Sequence, residues 1–350
     1  MNHVESIQKS AKRIGRKVRL MEVCGTHTVS IFRAGIRQIL PANVELVSGP
    51  GCPVCVTNDD FLDKAIEYSK NPDVIIATFG DMLKVPGSRE SLADSTGNIK
   101  VIYSPLDAID LARNNPAKKI IFLAVGFETT SPTAAATVLA AKNENLSNLF
   151  FLSAQKLVPP ALKNLLADPK SQIDGLILPG HVAVVIGTDV FKFVADEFKI
   201  PGVVAGFKPN EILRAIDRLL IRIDENDPAI ENCYESVVRS EGNPNAKKIL
   251  ETVYKVSNAE WRGLGLIENS GLQMKFEQFD IEKVMPVKIP AVEKNKNCRC
   301  GEILSGSIIP TQCKLFGKAC KPDHAIGPCM ASVEGTCSAW FRYGGFRFEF

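Results

Sequence analysis

Short apolar runs alternate with amphipathic stretches between residues 17 and 225 of this 350-residue chain. The runs are rich in β-branched residues, and the stretches between them carry apolar positions at helical spacing. This alternation is typical of parallel α/β units, in which each strand is followed by a helix that covers the sheet.

The alternation runs twice, which predicts an α/β protein with two Rossmann-like parallel-sheet lobes in pseudo-repeat. The strands of the first pass are VRLMEV, VELVS, VIIATF and VIYS, and those of the second are KIIFLAV, LFFLSA, GLILP and GVVAG. We place the first lobe, with an N-terminal amphipathic helix, at residues 1–115 and the second at residues 116–227. Residues 228–350 begin irregularly, end rich in cysteine, and are predicted to form a third domain.

Polar segments with unusual residues follow four of the predicted strands, and they read CGTH, GPGCPVC, GFETT and LPGH. In open parallel sheets, ligands bind at the carboxyl ends of the strands. Two lobes that face each other across these edges would enclose a cleft with three thiols, two imidazoles and one carboxylate. The candidate catalytic residues are therefore Cys24, Cys52, Cys55, His27, His181 and Glu128.

Cys52 and Cys55 form a C-x-x-C motif on a predicted strand-to-helix turn. A helix N-terminus lowers the pKa of a thiol, so the pair is expected to act as nucleophile or metal ligand. Two incidental thiols, or half of a zinc site, are the alternatives. His27 and His181 are as well explained as structural residues, and Glu128 can cap a helix instead of acting as a base. The isolated Cys233 is expected to be a packed apolar residue.

Six of the ten cysteines lie in the last 53 residues: Cys298, Cys300, Cys313, Cys320, Cys329 and Cys337. Zinc and iron–sulfur sites usually take four thiolates, so two remain. Two thiols beside a metal centre can form a disulfide that exchanges electrons with it. A structural zinc site with two spare thiols is the alternative, and the spacing leaves all fifteen choices of four ligands open.

The formal charge of +3 argues against a nucleic-acid partner. No apolar run approaches the roughly 18 residues of a membrane span, and the N-terminus lacks the features of a signal peptide. Together with the modest cysteine content, these features predict a soluble protein of the reducing cytoplasm.

The motifs closely resemble those of the hydrogenase maturation factor HypD family. The matching segments are CGTHT, SGPGCPVC, GFETT, PGHV and the run from Cys298 to Cys337, in that order over nearly the whole chain. Two positions depart from the family pattern: Ala183 stands where serine is frequent, and Ala331 where valine is usual. Neither position carries a thiol, an imidazole or a carboxylate.

The resemblance implies that the third domain is an iron–sulfur domain. Its [4Fe-4S] cluster would be held by Cys298, Cys313, Cys320 and Cys337. Cys300 and Cys329 would then form a redox relay, and Cys52 and Cys55 the central redox pair.

The resemblance also implies a function in assembly of the Fe(CN)2CO group of [NiFe] hydrogenase. The transient iron would be held at Cys24, Cys52 and Cys55. The implied partners are HypC as co-scaffold, HypE as cyanide donor and, indirectly, the hydrogenase large subunit. Two alternatives from other classes are a cluster-dependent thiol–disulfide oxidoreductase similar to ferredoxin–thioredoxin reductase, and a zinc-stabilised interaction protein.

Overall fold

A computed structural model describes residues 3–289 and 297–345 of the chain. It contains eleven strands within these ranges. The strands are β1 Val18–Glu22, β2 Val44–Ser48, β3 Val74–Thr78, β4 Ile99–Val101, β5 Lys119–Gly126, β6 Leu149–Gln155, β7 Gly175–Pro179, β8 Gly202–Ala205, β9 Ile230–Asn232, β10 Tyr254–Trp261 and β11 Gly265–Met274.

Sixteen α-helices occur in the same ranges, together with short 3₁₀ turns. The helices are α1 His3–Ile14, α2 Gly25–Arg33, α3 Ile36–Ile39, α4 Pro53–Val56, α5 Asp59–Ser69, α6 Asp107–Asn114, α7 Ser131–Asn143, α8 Val158–Leu166, α9 Gly180–Ile186, α10 Lys192–Asp196, α11 Pro209–Glu225, α12 Pro244–Val253, α13 Ile281–Val284, α14 Cys300–Leu304, α15 Pro328–Ala331 and α16 Thr336–Tyr343. None of these described helices is both long and apolar enough to cross a membrane.

The predicted fold class is confirmed, because the strands form two parallel sheets and a cysteine-rich region follows them. Sheet A has the strand order β2-β1-β7-β8-β9, and sheet B has the order β4-β3-β5-β6. The central strands are buried on both faces, as expected for parallel sheets that helices cover on either side.

The sheets do not divide the chain at residue 115 as the pattern predicted. Sheet A combines β1 and β2 with β7 and β8, whereas sheet B takes β3 to β6. The chain therefore leaves sheet A after β2, builds sheet B, and returns at β7. Strands that are apolar on both faces look alike in sequence, so the pattern located them without indicating their neighbours.

The segment before the cysteine-rich region is more ordered than the sequence suggested. β9 extends sheet A, and β10 pairs with β11 in an antiparallel hairpin that packs against β6. The predicted helix SIFRAGIRQIL is interrupted, because Gly35 adopts a φ of 65° between α2 and α3. Cys233 is buried as predicted, and it directly follows β9.

The C-terminal region lies against the functional edge of sheet A. α15 packs against α4, and α16 packs against α2. The guanidinium of Arg37 connects the two parts: it pairs with the buried carboxylate of Glu22 at 2.7 Å and lies over the rings of Phe32 and Trp340. A buried charge pair with these additional contacts fixes the position of the C-terminal helix relative to the sheet.

The strand order of sheet A predicts that the fragment of residues 1–115 does not fold by itself. In the whole protein β1 lies between β2 and β7, so the fragment would expose one side of β1 and lose the burial that β7 and β8 provide. We expect no cooperative thermal transition by circular dichroism for this fragment, in contrast to the full chain. A cooperative transition in the fragment would contradict the sheet arrangement described above.

Candidate functional site

The first two strands place three of the predicted thiols side by side. β1 and β2 pair in parallel from Val18 with Val44 to Glu22 with Ser48, so the turns that follow them are neighbours. The amide of Gly25 donates to the carbonyl oxygen of Gly51 at 3.1 Å. A methyl group on Gly51 would overlap the backbone nitrogen of Cys24, so this close approach requires glycine.

The C-x-x-C motif forms one buried turn. Cys52 caps α4 by accepting a hydrogen bond at 3.3 Å from the amide of Cys55, and Pro53 occupies the first helical position. The two sulfur atoms lie 2.6 Å apart, and both cysteines are free thiols. A disulfide, with its S–S distance of about 2.0 Å, requires only a small further movement of the sulfur atoms.

The lowering of the thiol pKa that was expected for the C-x-x-C turn is not found at Cys55. Burial is the main factor that raises the pKa of Cys55 well above its usual value, and contacts with other thiols raise it further. Burial also raises the pKa of Cys24 to about 11. α4 has a single turn, so its dipole is weak and desolvation of the thiolate dominates.

Cys329 connects the C-x-x-C motif with the other C-terminal cysteines. Its buried sulfur is hydrogen-bonded to the thiols of both Cys300 and Cys55, and these two bonds lower the pKa of Cys329 to about 6. Cys300 in turn lies 3.2 Å from the sulfur of Cys298 and is hydrogen-bonded to Cys337. These thiols therefore form a series within one buried cluster, from Cys55 through Cys329 and Cys300 to Cys337.

Five thiols surround a small cavity at the end of this series. The lining cysteines are Cys298, Cys300, Cys313, Cys320 and Cys337. The remaining wall is largely apolar and includes Ile303, Phe316 and Met330. A methyl group on Gly327 would overlap the sulfurs of Cys298 and Cys300, so glycine is needed beside them.

The donor set of the cavity fits a thiolate-ligated group. Its free space is about 10 Å³, so the thiols would have to move apart to receive such a group. Among the described residues, no three His, Cys, Asp or Glu side chains are arranged to hold a single metal ion. The thiols surround a space here and do not converge on one point.

A cleft of about 1080 Å³ opens between the two sheets, as the sequence predicted. Cys24 and the exposed imidazole of His181 line it, together with Thr129 and Thr130 of the GFETT segment. The other four candidate side chains are not among the described residues that line the cleft. These are Cys52, Cys55, His27 and Glu128.

The contacts of His27 are those of a buried structural residue. Its ring is fully buried, its Nε2 lies 2.9 Å from the carbonyl oxygen of Gly206, and it stacks on Phe207. Burial lowers the pKa of His27 to about 4, so the ring is neutral near pH 7. The ring of His181 packs against the same phenyl ring, with their centroids 4.0 Å apart.

Glu128 caps a helix, which was the alternative considered for it, although the helix is α8 and not the one that follows it in sequence. One carboxylate oxygen accepts a hydrogen bond at 2.9 Å from the amide of Val158, and the other is buried without a partner. Burial raises the pKa of Glu128 to about 7.

Two residues next to the candidate thiols were missed from sequence. Glu334 lines the cleft and accepts a hydrogen bond at 2.8 Å from the hydroxyl of Thr26, and Ser332 lies 3.5 Å from the sulfur of Cys52. Both residues lie between Cys329 and Cys337 in the sequence. Their position within the cysteine-rich run was the only sequence feature that could have marked them as site residues.

Comparisons with known proteins agree with one another. The family model HypD, described as the hydrogenase formation hypA family, matches residues 1–344. The chain is 40% identical to the hydrogenase maturation factor HypD of Escherichia coli, over 98% of this chain and 95% of that protein. It is 41% identical to the protein of the same name from Rhodobacter capsulatus, over 97% and 94%. A putative hydrogenase expression/formation protein of Methanocaldococcus jannaschii is 38% identical, over 97% and 96%.

The environment of Glu128 predicts a pH-dependent stability that Glu128→Gln removes. Between pH 4.5 and pH 7 the carboxyl is ionised in the unfolded state but still protonated in the folded state. The free energy of unfolding therefore falls, by on the order of 3 kcal/mol, as pH rises through this range. Glutamine keeps the oxygen that accepts from Val158 but does not titrate. We expect the variant to gain unfolding free energy relative to the parent protein between pH 5 and pH 8, measured by urea denaturation.

Glu235→Gln, at an exposed glutamate, is the matched control and should give no such gain. An unchanged pH dependence in Glu128→Gln would show that this carboxyl is not held protonated. Hydrogenase maturation measured with the same variant tests the catalytic role predicted for Glu128, because a residue that only caps α8 leaves maturation intact.

Proposed function

The chain belongs to the HypD family of hydrogenase maturation factors, and we propose that it carries the iron of the Fe(CN)2CO group while that group is assembled. In this proposal Cys24 in the cleft, with Cys52 and Cys55 on the adjacent turn, binds the iron, and the C-terminal cysteines keep the C-x-x-C pair reduced. The proposed partners are HypC, which shares the iron, and HypE, which delivers cyanide. The free thiols require a reducing compartment, and we propose the cytoplasm.

The placement of Cys55, Cys329 and Cys300 in one buried cluster is the observation that supports this proposal most strongly. Thiol–disulfide exchange requires a thiolate in direct contact with the sulfur that it attacks. The lowered pKa of Cys329 makes its thiolate available near pH 7, and Cys55 lies next to it.

The exchange can be written with these residues alone. With Cys52 and Cys55 as a disulfide, the Cys329 thiolate attacks the sulfur of Cys55, and Cys52 leaves as a thiolate that takes up a proton. Cys300 then gives up its proton, and its thiolate attacks the sulfur of Cys329 and releases Cys55 as a thiolate, which takes up a proton. Two electrons have passed to the C-x-x-C pair, and Cys300 and Cys329 are left as a disulfide.

We propose that the cavity of five thiols holds a [4Fe-4S] cluster through Cys298, Cys313, Cys320 and Cys337. This choice leaves Cys300 as the fifth thiol, and Cys300 is the lining cysteine that is hydrogen-bonded to Cys329. A bound cluster would supply the electrons that return Cys300 and Cys329 to thiols. The apolar wall and the close backbone of Gly327 suit a buried group that exchanges electrons without access of water.

The cleft is the proposed site of iron assembly. Its volume of about 1080 Å³ accommodates a ligated iron together with a segment of a partner protein. Iron with cyanide and carbonyl ligands is a soft centre that thiolates suit. Because burial keeps Cys24 protonated near pH 7, iron binding has to release its proton. The proposal groups Cys24 with Cys52 and Cys55, which lie on the adjacent turn.

Serine substitutions separate the proposed cluster ligands from the relay. Ser at Cys298, Cys313, Cys320 or Cys337 should remove the cluster and its brown colour, because a soft thiolate ligand is lost. Cys300→Ser and Cys329→Ser should keep the colour but block maturation. Iron and sulfide per chain, together with hydrogenase activity, distinguish the two groups, and Cys233→Ser is the control expected to lose neither. Loss of cluster iron in Cys300→Ser, with retention in Cys298→Ser, would reverse the assignment.

The iron-binding proposal predicts that Cys24→Ala abolishes maturation while leaving the C-terminal cluster in place. Adding Cys52→Ala should make no further difference, since residues that act as a unit are not additive. Infrared bands of cyanide and carbonyl should accompany iron in the parent protein purified anaerobically with HypC, and should be absent from Cys24→Ala. The matched control is Cys233→Ala, which should retain the bands.

A thiol–disulfide oxidoreductase would use the same sulfur contacts, so this experiment also decides between the two functions. Thiol exchange activity without cyanide and carbonyl bands would favour the oxidoreductase. Substantial maturation by Cys24→Ala would remove Cys24 from the proposed iron site.

A further inference from the structure

The two sulfur atoms of the C-x-x-C pair have different surroundings. Cys52 Sγ lies 3.3 Å from the backbone nitrogen of Cys55 and 3.5 Å from the hydroxyl oxygen of Ser332. Within the described residues, the hydrogen bonds of the Cys55 sulfur are instead with other thiols. The pair is therefore asymmetric, with an amide and a hydroxyl group beside the sulfur of Cys52.

Ser332 is held rigidly beside Cys52. It directly follows α15, is fully buried, and accepts a hydrogen bond at 3.3 Å from the amide of Glu334. The next part of the segment packs tightly on α2, because a methyl group on Gly25 would overlap the backbone oxygen of Glu334. A hydrogen bond that is fixed in this way and shielded from water is stronger than an exposed one.

The hydroxyl group of Ser332 suits both forms of the Cys52 sulfur. In the thiol form the S–H group of Cys52 donates to the hydroxyl oxygen. When Cys52 leaves a disulfide as a thiolate, the hydroxyl group can rotate and donate its own proton to the sulfur. A disulfide sulfur has no proton to donate and is a weak acceptor, so the oxidised pair gains less from this contact.

We propose that Ser332 stabilises Cys52 as the leaving sulfur when the Cys52–Cys55 disulfide is reduced, and so favours the reduced pair. Reduction breaks the S–S bond, and the two sulfur atoms take up two electrons and two protons. The electrons come from a dithiol, which itself becomes a disulfide. This role rests on the proposed function, in which the dithiol is that of Cys300 and Cys329.

The asymmetry also gives the exchange a direction. In thiol–disulfide exchange the departing sulfur carries negative charge, and a sulfur that is better stabilised as a thiolate departs faster. The amide of Cys55 and the hydroxyl group of Ser332 both lie beside Cys52. Attack on Cys55 with departure of Cys52 is therefore favoured over the reverse.

Redox titration of the full-length protein tests the role of Ser332. The protein is equilibrated anaerobically with graded ratios of reduced and oxidised dithiothreitol, quenched with acid and alkylated. Mass spectrometry then follows the tryptic peptide of residues 38–64, which contains Cys52 and Cys55 and no other cysteine. We expect Ser332→Ala to shift the equilibrium about fivefold towards the disulfide, because a buried hydrogen bond of the reduced pair is lost.

The rate of reduction by dithiothreitol should fall by a similar factor in Ser332→Ala. Ser332→Thr keeps the hydroxyl group and should show the equilibrium and the rate of the parent protein. An unchanged equilibrium in Ser332→Ala would overturn the proposal. So would an equal shift in Ser332→Thr, since the hydroxyl group would then not be the cause.

Thr26→Val is the control for the position of the segment. It removes the hydrogen bond at 2.8 Å from the Thr26 hydroxyl to the Glu334 carboxylate, but leaves Ser332 beside Cys52. We expect it to keep the parent equilibrium, and a shift as large as that of Ser332→Ala would overturn the proposal. Thermal melting verifies the fold of each variant. No hydrogenase enters the titration, so its failure is distinguishable from a failure of the proposed function, which the maturation assay tests.

Discussion

The burial of Cys55 and Cys329 in one cluster joins the two sets of cysteines of this protein. Cys55 belongs to the turn after β2, and Cys329 lies in α15 of the C-terminal region. Thiol exchange works only between touching sulfur atoms. The packing of α15 on α4 and of α16 on α2 therefore does more than stabilise the fold, because it determines whether the two sets of thiols can react with each other. The Glu22–Arg37 pair and the stacking of Arg37 on Trp340 hold the same interface.

Burial determines the protonation of the site at rest. It raises the pKa values of Cys24 and Glu128 and lowers that of His27, so each of these groups is held towards its neutral form. Cys329 is the exception, because two neighbouring thiols donate hydrogen bonds to it. Among the thiols whose pKa is shifted, Cys329 is thus the favoured nucleophile, and a metal bound at Cys24 would have to displace its proton.

The interleaving of the two sheets explains how the cleft is built. The chain crosses from sheet A to sheet B after β2 and returns before β7, so both sheets present the carboxyl ends of their strands to a common space. Cys24 and Gly51 reach the cleft from sheet A, whereas Thr129 and Thr130 reach it from sheet B. The C-terminal region adds Glu334 to the wall, so three parts of the chain that are distant in sequence contribute to one site.

The sequence by itself located the strands of the two passes, although not β9 to β11, and determined the fold class and the polar segments at the strand ends. It also placed Cys24 beside the C-x-x-C turn, because neighbouring parallel strands bring their following turns together. Only the tertiary structure decided which strands share a sheet, since strands that are apolar on both faces carry no mark of their partners. The buried cluster that holds Cys329 and Cys55 brings together residues 274 positions apart, which no spacing rule encodes. The raised pKa of Cys55 likewise depends on burial, which arises only when distant segments pack around a side chain.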